Sequence, residues 1–264
     1  MERLSGWWLV PCGALALALA TVGGAALAAE RWGQEQSSSA SRTIDTGALA
    51  AYGRLPLGFE RNRSQARAGV QFVARGAGYG LALTRNGAIL TLRTPAVRSR
   101  SLGGSQASKD KEAAMGLRFV GANPTVRLIA GRPLPGTVNY LVGKDPRTWT
   151  TGLRRFAEVY YRGLYPGVDA RFYGRQGQLE YDLLLAPGAD PRRLDLALGG
   201  AQAMRVDSRG DLLVKLSGGT LLSRRPFIYQ TIAGHRRWVE GGYVLRGDDR
   251  FGFRLGAYDR QRRS

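Results

Sequence analysis

Short alternating runs of apolar and polar residues, cut roughly every eight to twelve residues by glycine, proline, asparagine or aspartate, set the limits on what this chain can build. The cuts come from 37 glycines and 11 prolines, too frequent for helices of any length. The alternation predicts strands over 70–74, 79–84, 88–93, 116–120, 125–130, 138–142, 157–161 and 169–173. It continues over 179–185, 193–198, 204–207, 212–216, 220–224, 227–232, 236–240, 243–246 and 251–255. Arg85-Asn86-Gly87 joins two of them, and Asn-Gly predicts a hairpin with a type I′ turn. In Leu179-Glu180-Tyr181-Asp182-Leu183 the odd residues are apolar and predicted to point inward, the even ones outward. The expected fold is all-β: an antiparallel β-sandwich or an open barrel-like pair of sheets, preceded by a signal-peptide helix. No repeat of solenoid or propeller length is present.

The amino terminus reads as an export signal over 1–28. Arg3 is a minimal positive start, and an apolar run from Gly6 ends in small residues, with Ala26 and Ala28 placed for cleavage after Ala28. The run is also long enough for an uncleaved anchor, but its Ala/Gly content favours cleavage. Pro11 beside Cys12 argues against a lipoprotein signal. Residues 29–54 are polar around Ser37-Ser38-Ser39 and read as a flexible leader. The all-β domain then runs over 55–259, with a solvated loop and candidate subdomain boundary at 96–113, and a basic tail at 260–264.

One cysteine, Cys12, and one histidine, His235, exclude a Cys/His zinc site, a disulfide framework and a cysteine-protease centre. Removal of the signal takes the only thiol with it, so packing alone must hold the exported fold. The formal charge is +19, and the surplus is arginine, since the lysines are only Lys109, Lys111, Lys144 and Lys215. Arginine suits phosphate and carboxylate, which admits anionic surface polymers or polysaccharide as partners. A spread of arginine over the whole surface is the plainer reading, because no arginine cluster is interleaved with aromatics as a nucleic-acid groove requires.

Four groupings bear on chemistry. Glu180 and Asp182 share a strand face with carboxyls about 6–7 Å apart, suited to acid–base work or calcium, or simply to a solvated face paired with arginine. Asp145, Asp169 and Asp190 stand beside proline or glycine, where aspartate serves loop calcium or initiates turns. His235 has two arginines after it and no nucleophile elbow to serve, so it reads as a hairpin histidine. Trp149, Tyr160, Tyr161, Tyr165 and Tyr173 crowd one stretch, as a sugar-binding platform or as strand packing. No phosphate loop or dinucleotide fingerprint is present, and no cofactor is expected.

Eight phrases in order carry a family likeness: Leu55-Pro56-Leu57-Gly58-Phe59-Glu60-Arg61-Asn62, Ala74-Arg75-Gly76-Ala77-Gly78-Tyr79, Val120-Gly121-Ala122-Asn123-Pro124, Leu134-Pro135-Gly136-Thr137-Val138-Asn139-Tyr140, Asp145-Pro146-Arg147-Thr148-Trp149, Tyr165-Pro166-Gly167-Val168-Asp169, Leu179-Glu180-Tyr181-Asp182 and Pro187-Gly188-Ala189-Asp190-Pro191. Together they resemble the amino-terminal domain of bacterial surface proteins that carry SBBP-type β-propeller repeats. The resemblance implies an exported, β-rich, non-catalytic module ahead of a repeat array, and brings no catalytic residue with it. Arg63-Ser64-Gln65 stands where that family has Gly-Gln after its early asparagine. The chain ends at Arg260-Gln261-Arg262-Arg263-Ser264 where the family continues into a hydrophobic strand and the repeats, so a stand-alone form or a truncated one is expected. The expected role is that of a secreted or cell-surface structural and adhesive module. The alternatives are a carbohydrate-binding module on Trp149, Tyr161, Tyr165 and Tyr173, and a glycosidase-like enzyme on Glu180 and Asp182, with Asp169, Glu180 and Asp182 as weak metal candidates.

Overall fold

A computed structural model describes residues 8–16, 57–76, 79–94, 111–175, 178–217 and 219–259, with 8–16, 92–94 and 111–113 by backbone alone. Ala26, Ala28, the leader over 29–54 and the tail 260–264 lie outside the described residues. The chain forms β1 (Trp8–Ala16), β2 (Phe59–Arg61), β3 (Val70–Gly76), β4 (Tyr79–Thr84), β5 (Gly87–Thr94), β6 (Lys111–Phe119), β7 (Arg127–Ala130), β8 (Pro133–Tyr140), β9 (Thr150–Phe156) and β10 (Glu158–Tyr165). It continues through β11 (Val168–Arg175), β12 (Gln178–Leu185), β13 (Leu196–Gly199), β14 (Ala203–Val206), β15 (Leu212–Leu216), β16 (Gly219–Ser223), β17 (Tyr229–Ile232), β18 (His235–Trp238), β19 (Gly241–Leu245) and β20 (Arg250–Leu255). Two 3₁₀ turns, Pro146–Thr148 and Pro191–Arg193, are the only helical elements among the described residues.

Every pairing is antiparallel, and the strands make two ten-stranded sheets, neither closed into a barrel. The first runs β14-β15-β16-β1-β12-β11-β10-β7, with the hairpin β17-β18 joined to β1. The second runs β19-β20-β13-β6-β5-β4-β3-β2-β9-β8. The sandwich-like all-β architecture agrees with the alternating pattern. Within the expected signal segment, Trp8–Ala16 is an extended strand of the first sheet rather than a helix.

Both sheets feed one buried cluster. Leu179, Tyr181, Leu183 and Leu185 of β12 all point into it, as period two requires. Phe119 of the second sheet meets Tyr161 and Phe172 of the first at ring-centroid distances of 5.5 and 6.4 Å, both edge-on. Tyr161 is 0% exposed, and its hydroxyl crosses the sandwich to donate to the Gly87 carbonyl at 2.8 Å. A buried hydroxyl left without an acceptor costs about 1–3 kcal/mol, so this bond also fixes how the sheets face each other.

Where pattern and structure differ, the cause is local. The Arg85-Asn86 hairpin is present, but neither turn residue has positive φ, so the turn is not type I′. Gly87 takes the unusual conformation instead, at φ 152°, and a Cβ there would run into the Leu117 carbonyl. The loop expected at 96–113 gives way earlier, because Lys111 and Glu112 pair with Thr94 and Arg93. The segment therefore joins two neighbouring strands of one sheet. Strand β8 runs through Pro133 and Pro135 because it is a sheet edge, where a missing N–H is tolerated and the register slips. Strands β2 and β9 lack clean alternation and escape the pattern. In β10 the register shifts between Tyr161 and Tyr165 at Gly163 (φ 67°), and the shift turns both Leu164 and Tyr165 into the core.

The departure at Arg63-Ser64-Gln65 is a strained turn. Ser64 stands at φ 92°, a conformation that suits glycine. The turn is held regardless: Asn62 Nδ2 donates to the Val70 carbonyl at 2.9 Å, and Gln65 Nε2 donates to the Arg61 carbonyl at 2.7 Å. Two glycine exchanges should therefore act in opposite directions in chemical denaturation. Ser64→Gly is expected to stabilise the fold by about 1 kcal/mol, and Gly87→Ala to destabilise it by about 2 kcal/mol or more.

Candidate functional site

The residues singled out by pattern do not converge. Asp182 is 0% exposed, and takes Arg171 Nη2 at 2.5 Å, Arg171 Nε at 3.1 Å and the Tyr173 hydroxyl at 3.1 Å. Burial is the largest influence on its carboxyl and raises its pKa above the ordinary value, while Arg171 opposes that shift. Arg171 also reaches Glu158 at 3.6 Å. Glu180 is half-buried, opposite Tyr173. Asp182 is thus paired with arginine, but buried rather than on a solvated face. The cause lies in neighbouring elements that alternation does not reveal. Tyr229 of the β17-β18 hairpin approaches closely enough that the charges of Asp182 and Arg171 both act on its hydroxyl.

The other aspartates serve the backbone. Asp169 accepts from Arg162 Nη1 at 2.6 Å and from the Gly163 N–H at 2.7 Å, which pins the β10 bulge. Asp145 and Asp190 cap the two 3₁₀ turns, accepting from the N–H of Arg147 at 3.0 Å and of Arg192 at 3.1 Å. Their arginine partners hold both carboxyls below the ordinary range. Among the described residues no group of three or more His, Cys, Asp or Glu is placed to hold a metal ion. His235 is exposed at the start of β18, after the Ala233-Gly234 turn.

Among the aromatic candidates the burial differs. Tyr161 and Tyr165 are core residues, and the Tyr165 hydroxyl is shared between the carbonyls of Val120 and Asp195 at 3.1 and 3.0 Å. Tyr173 is half-buried, with the Arg171 guanidinium 4.6 Å from its ring centre. Trp149 is 37% exposed and stands apart, its Nε1 donating to the Gly143 carbonyl at 3.2 Å. Rings on alternating faces of strands cannot form one exposed surface.

A different place does gather exposed rings and charge. Register pairs Tyr229 with Trp238 across the β17-β18 hairpin. Trp238 is 65% exposed and Phe227 62%, with ring centroids 6.0 Å apart. Trp238 also meets Tyr229 edge-on at 5.8 Å, and Arg236 lies 4.7 Å from the Tyr229 ring centre. Phe227 and Trp238 border a surface groove of about 820 Å³ that Arg224, Arg225, Asp211 and Glu240 also line. Asp211 orders the groove floor: it accepts the Arg225 N–H at 2.7 Å and Arg224 Nη1 at 3.2 Å. The signal was present in the sequence as two phrases, Arg224-Arg225-Pro226-Phe227 and Arg236-Arg237-Trp238. Each is too short to stand out alone. The hairpin register sets Tyr229, just after the first phrase, opposite Trp238 of the second.

A family model described as a domain of unknown function (DUF7948) matches residues 59–263. No curated protein and no solved structure matches the chain.

Two outcomes follow from the burial of polar groups. Asp182→Ala leaves the Arg171 guanidinium without its buried partner and is expected to cost about 3 kcal/mol in chemical denaturation, most of it recovered in Asp182→Leu/Arg171→Met. The hydroxyls of Tyr79 and Tyr165 are pushed up to about 12 by burial, against 10.0 for the free side chain. The folded chain therefore keeps protons that the unfolded chain releases, and stability should fall as pH rises from about 10 through about 12. Tyrosinate absorbance followed alongside circular dichroism checks this: these tyrosines should ionise together with unfolding.

Proposed function

This chain belongs to the DUF7948 domain family, and we propose that it is an exported, non-catalytic structural and adhesive module that holds acidic polysaccharide in the groove beside Phe227 and Trp238. The observation that carries the reading is the exposed ring pair next to Arg224 and Arg225. Large rings left in solvent mark a contact surface rather than core. Their faces suit the C–H faces of a sugar ring, and the arginine fork suits a carboxylate or sulfate on it. The excess positive charge attracts a polyanion at long range.

A role without bond chemistry is supported by the fate of the buried carboxylates. Asp182 is tied to Arg171, Asp169 to Arg162, Asp211 to Arg224 and Asp195 to Arg250. Each neutralises a cation, and Asp169 and Asp211 also order backbone, which argues against any of them being poised as an acid or base. Export is supported by the apolar leader and by the lack of any thiol after Ala28. The ordered turn phrases support a place ahead of an SBBP-type propeller array.

Binding of polygalacturonate, with neutral dextran as comparison, tests the reading. Wild type should bind the acidic polymer and not dextran, with affinity falling as salt rises. Trp238→Ala and Phe227→Ala should each weaken binding about tenfold or more without lowering Tm, because both rings are mostly exposed. Equal binding by both variants, or salt-independent binding, would reject the groove as the site.

A further inference from the structure

The β8-β9 hairpin ends the second sheet, with β8 as its edge strand. Its last rung pairs Tyr140 with Thr150, so residues 141–149 form the loop at its tip. Leu141 is 58% exposed and Val142 71%, the two most exposed large aliphatic side chains among the described residues. They are adjacent, and Trp149 closes the same loop, also exposed. Single apolar residues scattered over a surface are ordinary, whereas a pair at a loop tip beside a tryptophan marks a contact.

The loop is held in one shape. Gly143 turns the chain at φ 83°. The Thr148 hydroxyl is shared between the carbonyls of Val142 and Asp145 at 3.1 and 2.8 Å, and Trp149 Nε1 donates to the Gly143 carbonyl. Below the tip, the Tyr140 hydroxyl donates to Glu60 at 2.6 Å and accepts from Arg75 Nη1 at 2.5 Å, which ties β8 to β2 and β3. The carbonyls of Val142 and Gly143 thus have donors within the loop itself. Leaving water costs such a tip far less than it costs a loop whose carbonyls depend on solvent.

The surrounding charges indicate which apolar medium fits. Lys144 and Arg147 are exposed within the loop, and Arg154 is exposed further along β9. Asp145 is the only carboxylate over 133–156, and Arg147 pairs with it at 3.0 Å. An apolar tip, an amphipathic tryptophan behind it and cations around both match the acyl boundary, the interface and the anionic headgroups of a bilayer. We infer that loop 141–149 is a membrane-docking site: it sets Leu141 and Val142 at the headgroup–acyl boundary of a bilayer rich in anionic phospholipid, with Lys144 and Arg147 among the phosphates. This contact lies on a different hairpin from the groove at Phe227 and Trp238.

A polarity-sensitive fluorophore on Val142→Cys, in the Cys12→Ser full chain, reads insertion at the tip itself, whatever the apolar amino terminus does. With vesicles of phosphatidylglycerol and phosphatidylcholine its emission should shift to the blue and be quenched by lipid brominated along the acyl chain. The same label on Ser208→Cys, exposed between β14 and β15, should not respond. Adding Lys144→Glu or Leu141→Ser should each raise the lipid concentration needed about tenfold, with Tm unchanged because both side chains are exposed. Four results would each overturn the proposal. They are an unshifted label at 142 with anionic vesicles, an equal shift with phosphatidylcholine alone, equal shifts at 142 and 208, and a shift at 142 on adding polygalacturonate in place of vesicles. The last would make the tip a polysaccharide contact.

Discussion

The Tyr161 hydroxyl on the Gly87 carbonyl is the contact on which the sandwich turns. Two antiparallel sheets can slide over an apolar layer at little cost, because burial is non-directional. A single buried polar group removes that freedom, since its acceptor stands in one place. The acceptor in turn exists only because residue 87 has no side chain: any Cβ there would strike the Leu117 carbonyl on the neighbouring strand. Hairpin, sheet pairing and sheet facing are thus settled at one glycine. Around it Phe119, Tyr161, Phe172 and Tyr181 form a chain of rings, each within 5.7 Å of the next by the closest pairing. Cys12 is the only cysteine, so no disulfide within the chain substitutes for this packing.

Much of the strand order was legible because period two is a local signal. Residues 179–185 and 212–216 show it plainly, and their inward residues are core residues. The face opposite the core was not legible. Alternation places Glu180 and Asp182 away from the apolar interior, but it carries no information about what covers that second face. Asp182 proves buried and paired with Arg171, while Glu180 on the same face is half-buried. The aromatic candidates differ in burial for the same kind of reason: Tyr160 and Tyr161 are adjacent in sequence but face opposite sides of β10, and the bulge at Gly163 then turns Tyr165 inward. The groove was missed because its two halves are ten residues apart and meet only through the register of β17 with β18.

Arginine has two separate uses in this chain. Arg162, Arg171 and Arg250 satisfy buried carboxylates, where the planar fork gives two or more directed donors. These pairs specify geometry more than they stabilise, because desolvation offsets much of their attraction. Arg224 and Arg225 line the groove beside exposed Phe227 and Trp238, Arg224 also pairing with Asp211, and Arg236 lies over the buried Tyr229 ring. A uniform compositional excess would not concentrate arginine on the one hairpin that also exposes Phe227 and Trp238.

That hairpin ties the groove to the rest of the sheet. Tyr229 is registered opposite Leu9 of β1, and its ring packs against Trp238 at the groove. Arg236 lies over the same ring. Gln230, the next residue, donates to the Asp259 carbonyl at 2.8 Å, and the Val239 N–H donates to the Ile228 carbonyl at 2.9 Å. The exposed tryptophan therefore stands on a residue whose chain neighbours are fixed by backbone and amide hydrogen bonds, so the groove keeps its shape although its rings lie in solvent.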